Sequence, residues 1–304
     1  MHEAADSDYI FIRVVEAGSL RAVAQELGVD PSSISRRISA LEDRLKAKLL
    51  RRSTKRSEPT EAGLRYYNGM RRLLDERAAL EDQVSGLTDE PRGRLRVGAP
   101  VDFGARFVAP VVAELITEFP DLDVELVLGS GFDDLVETGL DAVIRIGNLT
   151  DSSLIAKKVG SVPRMVVASR QYLAEHGKPK KPADLAVHPF VFYQNGQRRG
   201  ELVFSKAGKR VGVEITGRTS ANSVSAIREL VIGGAGLHFG PVWAFEEELA
   251  NGTLVPIVPD WACVSFPIQV LWVPTEFLPV KVRLFAERFA SFVGQQGSLE
   301  PLHT

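Results

Sequence analysis

Ser32, Ser33, Ser35, Arg36 and Arg37 combine small hydroxyls with permanent positive charge over six positions. Short hydroxyls permit close approach to a polyanion, and arginine can bind guanine edges or phosphates through parallel N–H groups. A little further on, Arg51, Arg52, Lys55 and Arg56 crowd into a second short stretch, which suits the phosphate backbone and an affinity that falls with salt. Other chemistries fit poorly. Gly234-Ala235-Gly236 followed by Gly240 has the wrong spacing for a nucleotide loop. Ser130 lies between Gly129 and Gly131 without forming a Gly-x-Ser-x-Gly elbow. His2, His176, His188, His238 and His303 are scattered, with only Cys263 as a thiol, so no metal-ligand spacing is present. An enzyme is therefore not expected, and neither is a metal or cofactor.

The charge distribution agrees. Residues 31–72 hold twelve Lys/Arg against four Asp/Glu, whereas residues 92–304 hold twenty-two against twenty-three, within a net charge of -2. A basic block joined to a near-neutral remainder implies that one segment meets a polyanion and the rest does not. At 304 residues the chain exceeds one typical domain, so two or three folded units are expected. A single cysteine, an acidic start and the lack of an apolar run of membrane-spanning length predict a cytoplasmic protein without a membrane partner.

The elements that must position the basic residues follow from periodicity. Ile10, Phe11, Val14 and Val15 give a first helix over 8–17, and Ser19 caps a second over 20–27. Gly28 reverses the chain, and Asp30-Pro31 restarts it as N-cap and first helical residue. In the third helix Ile34, Ile38, Leu41 and Leu45 form the buried face, leaving Ser32, Ser33, Ser35, Arg36, Arg37 and Ser39 outside. Two short helices around a glycine turn describe a helix-turn-helix, with an unrelated helical bundle as the competing reading. The stretch 49–56 is too short for a helix and reads as a basic hairpin, halted by Pro59 before Thr60-Glu61 opens a new helix.

These residues also carry a family resemblance. Val15-Glu16-Ala17-Gly18-Ser19-Leu20, Ala24-Gln25-Glu26-Leu27-Gly28-Val29, Ser33-Ile34-Ser35-Arg36-Arg37-Ile38, Leu41-Glu42, Arg52-Ser53-Thr54 and Thr60-Glu61-Ala62-Gly63 closely resemble the LysR-type transcriptional regulators. The resemblance implies a winged helix-turn-helix over 1–60, with the recognition helix starting near Pro31 and the wing over 46–59. Ser57, Glu58 and Pro59 depart from it, since the family usually has hydrophobic residues there. Residues 61–90 read as one long linker helix striped by Leu64, Tyr67, Met70, Leu74, Leu80, Val84 and Leu87. Such a stripe needs a partner, either a second copy or the chain's own second domain. The resemblance favours a dimer, sometimes a tetramer, reading a pseudo-palindromic operator in double-stranded DNA.

After a hinge at 88–93 the pattern becomes α/β. Strands at 95–98, 124–128 and 141–147, with a helix over 107–119, suggest a largely parallel sheet. Residues 91–293 resemble the family's two-lobed, periplasmic-binding-protein-like effector domain. Lobe one would cover about 91–162 and 268–293 and lobe two about 163–267, with crossings near 162–167 and 267–273 and a tail over 294–304. The fold class expected is thus α/β with an all-α N-terminal part. Ligands in such sheets sit beyond the strands' carboxyl ends. That singles out Pro100, Val101, Asp102, Phe103, Gly129, Phe132, Gly147 and Asn148, with Tyr193, Ser220, Ala221, Asn222 and His238 from lobe two, for an unidentified small-molecule effector. Asp102, where the family often has a small hydroxyl, would suit a cationic or hydroxyl-bearing ligand.

Overall fold

Apolar residues recurring every three to four positions fold the N-terminal stretch into three helices around one core. The computed structural model describes residues 7–52, 57–85, 90–129, 135–148, 153–193 and 198–302. Helices α1 (Ser7–Ala17), α2 (Leu20–Glu26) and α3 (Pro31–Leu45) bury Ile10, Phe11, Val14, Val23, Ile34, Ile38 and Leu41 almost completely. Ser19 Oγ accepts from Ala22 N–H at 3.3 Å, and the Asp30 carboxylate accepts from Ser32 N–H at 2.7 Å, so both later helices begin where their caps dictate. Between them Gly28 has φ +64°, a left-handed turn that side chains resist.

Strands β1 (Leu50–Arg52) and β2 (Ser57–Pro59) pair antiparallel, Leu50 opposite Pro59 and Arg52 opposite Ser57. Helix α4 (Glu61–Ser85) follows, opened by Thr60. The Thr60 hydroxyl donates to Lys48 O at 2.6 Å and accepts from Gly63 N–H at 2.9 Å. A Cβ on Gly63 would collide with Leu49 O, so only glycine lets the helix pass this close to the wing. The start of α4 is therefore bolted to the hairpin.

The apolar stripe of α4 divides. Tyr67, Met70 and Leu74 pack on the chain's own three-helix core, while Leu64, Leu73, Leu80 and Val84 remain exposed. Leu87 lies outside the described residues. Tyr67, Met70 and Leu74 therefore face the core and not a second copy, because this part of the helix roofs it. The same unit also takes in Phe132–Asp141 and Val273–Arg283, which sequence reading assigns to the C-terminal part. Ion pairs hold those segments to α4. Arg71 meets Asp141 at 2.6 Å with both side chains under 10% exposed, and Lys281 meets Asp75 at 2.8 Å.

The second unit comprises Arg92–Gly131, Ala142–Trp272 and Leu284–Thr304. It begins with β3 (Gly93–Ala99), then α5 (Val101–Phe103), a π turn over Gly104–Val108, and α6 (Ala109–Glu118). The helical run thus starts at Val101, six residues before the expected Phe107. Pro110 lacks an N–H and would crowd the carbonyl four residues back in a regular helix, and the wider turn accommodates it. Next come β4 (Leu122–Leu128), α7 (Leu135–Thr138, within the first unit), β5 (Ala142–Ile146), β6 (Ile155–Val162), β7 (Arg164–Ser169) and α8 (Arg170–His176). Strands β8 (Pro189–Tyr193), β9 (Arg199–Lys206) and β10 (Lys209–Ala221) lead to α9 (Val224–Ile232). The chain continues through β11 (His238–Pro241), α10 (Glu246–Asn251), β12 (Leu254–Ile257), β13 (Ala262–Cys263), β14 (Phe266–Trp272), α11 (Val280–Gln295) and β15 (Glu300–Pro301).

One sheet has the order β15-β6-β14-β5-β3-β4; a second has β13-β9-β10-β8 and a third β11-β7-β12. The first sheet is mixed and not largely parallel. Only β3 runs parallel to its neighbours β4 and β5, while β14, β6 and β15 are antiparallel. The reason is that β6 carries the chain away from this sheet and β14 brings it back, reversing direction. The outward crossing falls at Pro163 and the return between Cys263 and Phe266, slightly before the expected position. Past α11, β15 extends the sheet edge and Leu299 is buried. Among the described residues, no helix is long and apolar enough to cross a membrane.

Candidate nucleic-acid interface and ligand chamber

On α3, Ser32 and Arg36 are exposed and Ser33, Ser35 and Arg37 half-buried, on the side opposite the buried Ile34, Ile38 and Leu41. The Ser32 hydroxyl and N–H hold the Asp30 carboxyl below its ordinary range, so the cap carries a full charge at the helix start. Arg51 is exposed on β1, opposite Glu58. Arg52 is described in its backbone alone, and Lys55 and Arg56 lie outside the described residues. The unusual Ser57-Glu58-Pro59 sequence still seats the hairpin. Buried Ser57 donates its N–H to Gly18 O at 3.0 Å, which ties the wing to the α1–α2 turn by a hydrogen bond in place of an apolar side chain.

Glu42 holds the other end of this arrangement. Its carboxylate, 2% exposed, accepts Leu49 N–H at 2.9 Å, Leu50 N–H at 3.2 Å and Lys48 Nζ at 2.8 Å. Burial opposes its ionisation, yet Lys48 and the two N–H groups outweigh it and hold the carboxyl below its usual value. Lys48 is largely exposed, so the backbone bonds matter more than the ion pair. Glu42 therefore fixes the angle between α3 and the wing. Sequence reading places the residue in a motif without giving it a role.

In the second unit a chamber of about 380 Å³ opens among the sheets. Of the residues singled out from sequence, it brings together Pro100, Asp102, Phe103, Tyr193 and His238. Val101 points to solvent, and Gly129, Gly147, Asn148, Ser220, Ala221 and Asn222 do not line the chamber. Phe132 lies outside the described residues. Gly147 is engaged instead with β14, donating its N–H to Pro267 O at 2.9 Å.

Asp102 does not offer its charge to a cation. Its carboxylate accepts from Val224 N–H at 2.6 Å and Ser225 N–H at 3.2 Å, and from the hydroxyls of Ser223 and Ser225. It thus caps the start of α9 from the far side of the chamber. His238 is fully enclosed: its Nδ1 lies 2.8 Å from Val191 O and its ring packs at 5.8 Å from that of Phe245. Burial, helped by the charge of Arg164, pulls its pKa down to about 4 against the Val191 bond, so the ring is neutral. A neutral ring donates from Nδ1. Burial, then the Asp102 charge, raises the Tyr193 pKa.

Sequence reading misses the rest of the chamber's character. Phe190, Phe192, Phe239, Trp243 and Phe266 make its walls aromatic, and Arg164 sets a positive charge among them. The one sequence signal is an arginine at the head of the apolar strand Arg164-Met165-Val166-Val167-Ala168.

Two family patterns cover nearly the whole chain: "Bacterial regulatory helix-turn-helix protein, lysR family" over residues 9–64 and "LysR substrate binding domain" over residues 88–293. The chain is 34% identical over 290 residues to the HTH-type transcriptional activator AaeR of Escherichia coli strain K12, covering 95% of this chain and 94% of that protein. It is 33% identical to the HTH-type transcriptional regulator PtxR of Pseudomonas aeruginosa, with 95% and 92% covered. Among solved structures, the full-length Vibrio cholerae virulence activator AphB matches with TM-score 0.56 and 31% identity over 95% of this chain and 99% of that one. CrgA, a LysR-type transcriptional regulator from Neisseria meningitidis, matches with TM-score 0.57 and 26% identity over the same shares.

Proposed function

The chain belongs to the LysR-type family of bacterial transcriptional regulators, and from that premise we propose how its residues divide the work. Arg36, Arg37, Ser32, Ser33 and Ser35 meet base edges and nearby phosphates in the major groove, while Arg51, Arg52, Lys55 and Arg56 of the wing meet phosphates alone. Two copies join through α4, using Leu73, Leu80 and Val84, which are apolar and exposed. The pair reads a pseudo-palindromic operator in the cytoplasm. A small-molecule effector enters the chamber and alters the sheets that enclose it, biasing one arrangement of the assembled protein on DNA.

The observation that carries the DNA assignments is the exposed Arg36 and Ser32 face of a capped helix, beside a hairpin tied to the same core. The test is a pull-down of sheared genomic DNA with the purified chain, followed by footprinting and a salt titration of the enriched site. Arg36→Ala should erase much of the preference for that site over mixed DNA. Arg51→Ala should weaken both alike and lower the salt slope by about one. If Arg51→Ala changes discrimination and Arg36→Ala does not, the roles are reversed.

A further inference from the structure

Buried charges in proteins are normally paired, because removing an ion from water costs more than an unpaired site returns. Arg164, half-buried and facing the chamber, departs from that rule. It stands at the head of β7, lines the chamber, and its Cζ lies 4.1 Å over the Phe239 ring and 4.0 Å over the Phe266 ring. One Nη donates to Phe239 O at 2.5 Å. No carboxylate pairs with it among the described residues. The neighbouring Cys263 thiol is pushed up to about 11 by burial, so it supplies no counter-charge near neutral pH. Burial brings the Arg164 guanidinium down to about 10, which still leaves it charged.

The chamber's two carboxylates are turned elsewhere. Asp102 is engaged with the α9 N–H groups and serine hydroxyls, and Glu201 is exposed with its carboxylate lying against Gly212 of the next strand. Phe239 and Phe266 lie against Arg164, and the hydrogen bond its guanidinium makes among the described residues is to Phe239 O, which leaves N–H donors along its edges for an incoming group. Approach along those edges is how a carboxylate makes two parallel bonds to a guanidinium. The same chamber is also walled by Phe103, Phe190, Phe192 and Trp243, which suits a flat apolar body. We infer that the effector is a small aromatic carboxylic acid, its carboxylate held by Arg164 and its ring in the aromatic part of the chamber. This rests on the chamber being the effector site.

The test uses the full chain and four probes: benzoate, 2-naphthoate and the neutral amides of both. In calorimetric titrations at least one acid should bind, about tenfold or more tighter than its amide. Arg164→Met should weaken that acid by about 30- to 100-fold, the worth of a charge-assisted pair of bonds, and leave the amide within about twofold. Arg164→Lys should retain part of the preference. Ligand-free Arg164→Met should melt no lower than the parent, since an unpaired, half-buried cation gives way to an apolar chain. Equal binding of acid and amide, an acid preference that survives Arg164→Met, or no acid binding at millimolar concentration would overturn the inference. So would a variant that melts lower and loses the amide too, since Arg164 would then be structural. Operator binding read in parallel separates the two claims. Acids that bind through Arg164 but leave the footprint unchanged would refute the chamber as effector site and keep the carboxylate site.

Discussion

Glu42, buried in the N-terminal unit, and Arg164, half-buried in the chamber wall, are both charged groups among apolar neighbours, and the chain treats them in opposite ways. Around Glu42 it supplies two backbone N–H groups and a lysine, so nothing more is needed and the carboxylate fastens the hairpin to α3. Around Arg164 it supplies two rings and one carbonyl but no carboxylate among the described residues. A buried charge satisfied from within stiffens a fold. One without a counter-charge of its own invites chemistry from outside. The first unit holds a shape for DNA, and on the proposed reading the second is completed by a ligand.

The sharpest way to break that contrast is to remove the satisfied charge. Glu42→Ala leaves Leu49 and Leu50 N–H groups buried without acceptors, and about 3–5 kcal/mol of stability should go with them. Thermal unfolding of the variant should show the transition of the N-terminal unit shifted sharply down and that of the chamber unit unmoved. A loss no larger than that of an ordinary surface substitution would mean that Glu42 only decorates the hairpin. The pH sign follows from its lowered pKa. Stability from Glu42 is present above about 4.5, its ordinary value, and is lost only as pH falls through the lower folded value.

Acid should reach the chamber unit first. His238 ordinarily titrates near 6.5 but is held down to about 4 by burial, so the unfolded chain takes up a proton that the folded one refuses. The stability this represents is complete above about 6.5 and is lost progressively toward pH 4, up to about 3 kcal/mol. Calorimetric scans from pH 7.5 to 4.5 should therefore lower the chamber transition while the N-terminal one holds. In His238→Gln, whose amide can still donate to Val191 O, that slope should flatten. Two transitions falling together would erase the distinction between the units.

The two regions also differ in how much of them the sequence reveals. The helix-turn-helix is legible because its signals are local: Ser19, Gly28 and Asp30-Pro31 mark boundaries within a residue or two of the groups they cap. The tie between Ser57 and Gly18 is not local, so the polar wing reads as a departure until the hydrogen bond is seen. In the chamber, Pro100, Asp102 and Phe103 are found by their place after β3, but Arg164, Phe239 and Phe266 come from three distant strands. Hydrophobic periodicity marks those phenylalanines as strand residues and cannot say that they meet around one cation. The early start of the helical run is hidden for a related reason, because Pro110 tightens expectations locally while the π turn relieves it.

Asp102 lies between the two cases and offers the smallest and most instructive test. It is a chamber residue, yet its charge is satisfied from within like that of Glu42, by the first N–H groups of α9. Unlike Glu42, it reaches across from α5, on the side of the six-stranded sheet, to a helix packed on β7 and β8. Its bonds therefore span the space that a ligand would fill. Asp102→Ala should cost about 1–2 kcal/mol, the range of a helix cap with a favourable dipole interaction. Amide hydrogen exchange at Val224 and Ser225 should quicken about tenfold, while Leu49 and Leu50 keep their protection. Asp102→Asn should fall between, because an amide oxygen still accepts but brings no charge. If exchange at α9 is unchanged in both variants, the cap is incidental and the chamber's halves are held by packing alone. If it quickens as described, the chain already places one carboxylate across the chamber, and the acid held by Arg164 would be the second.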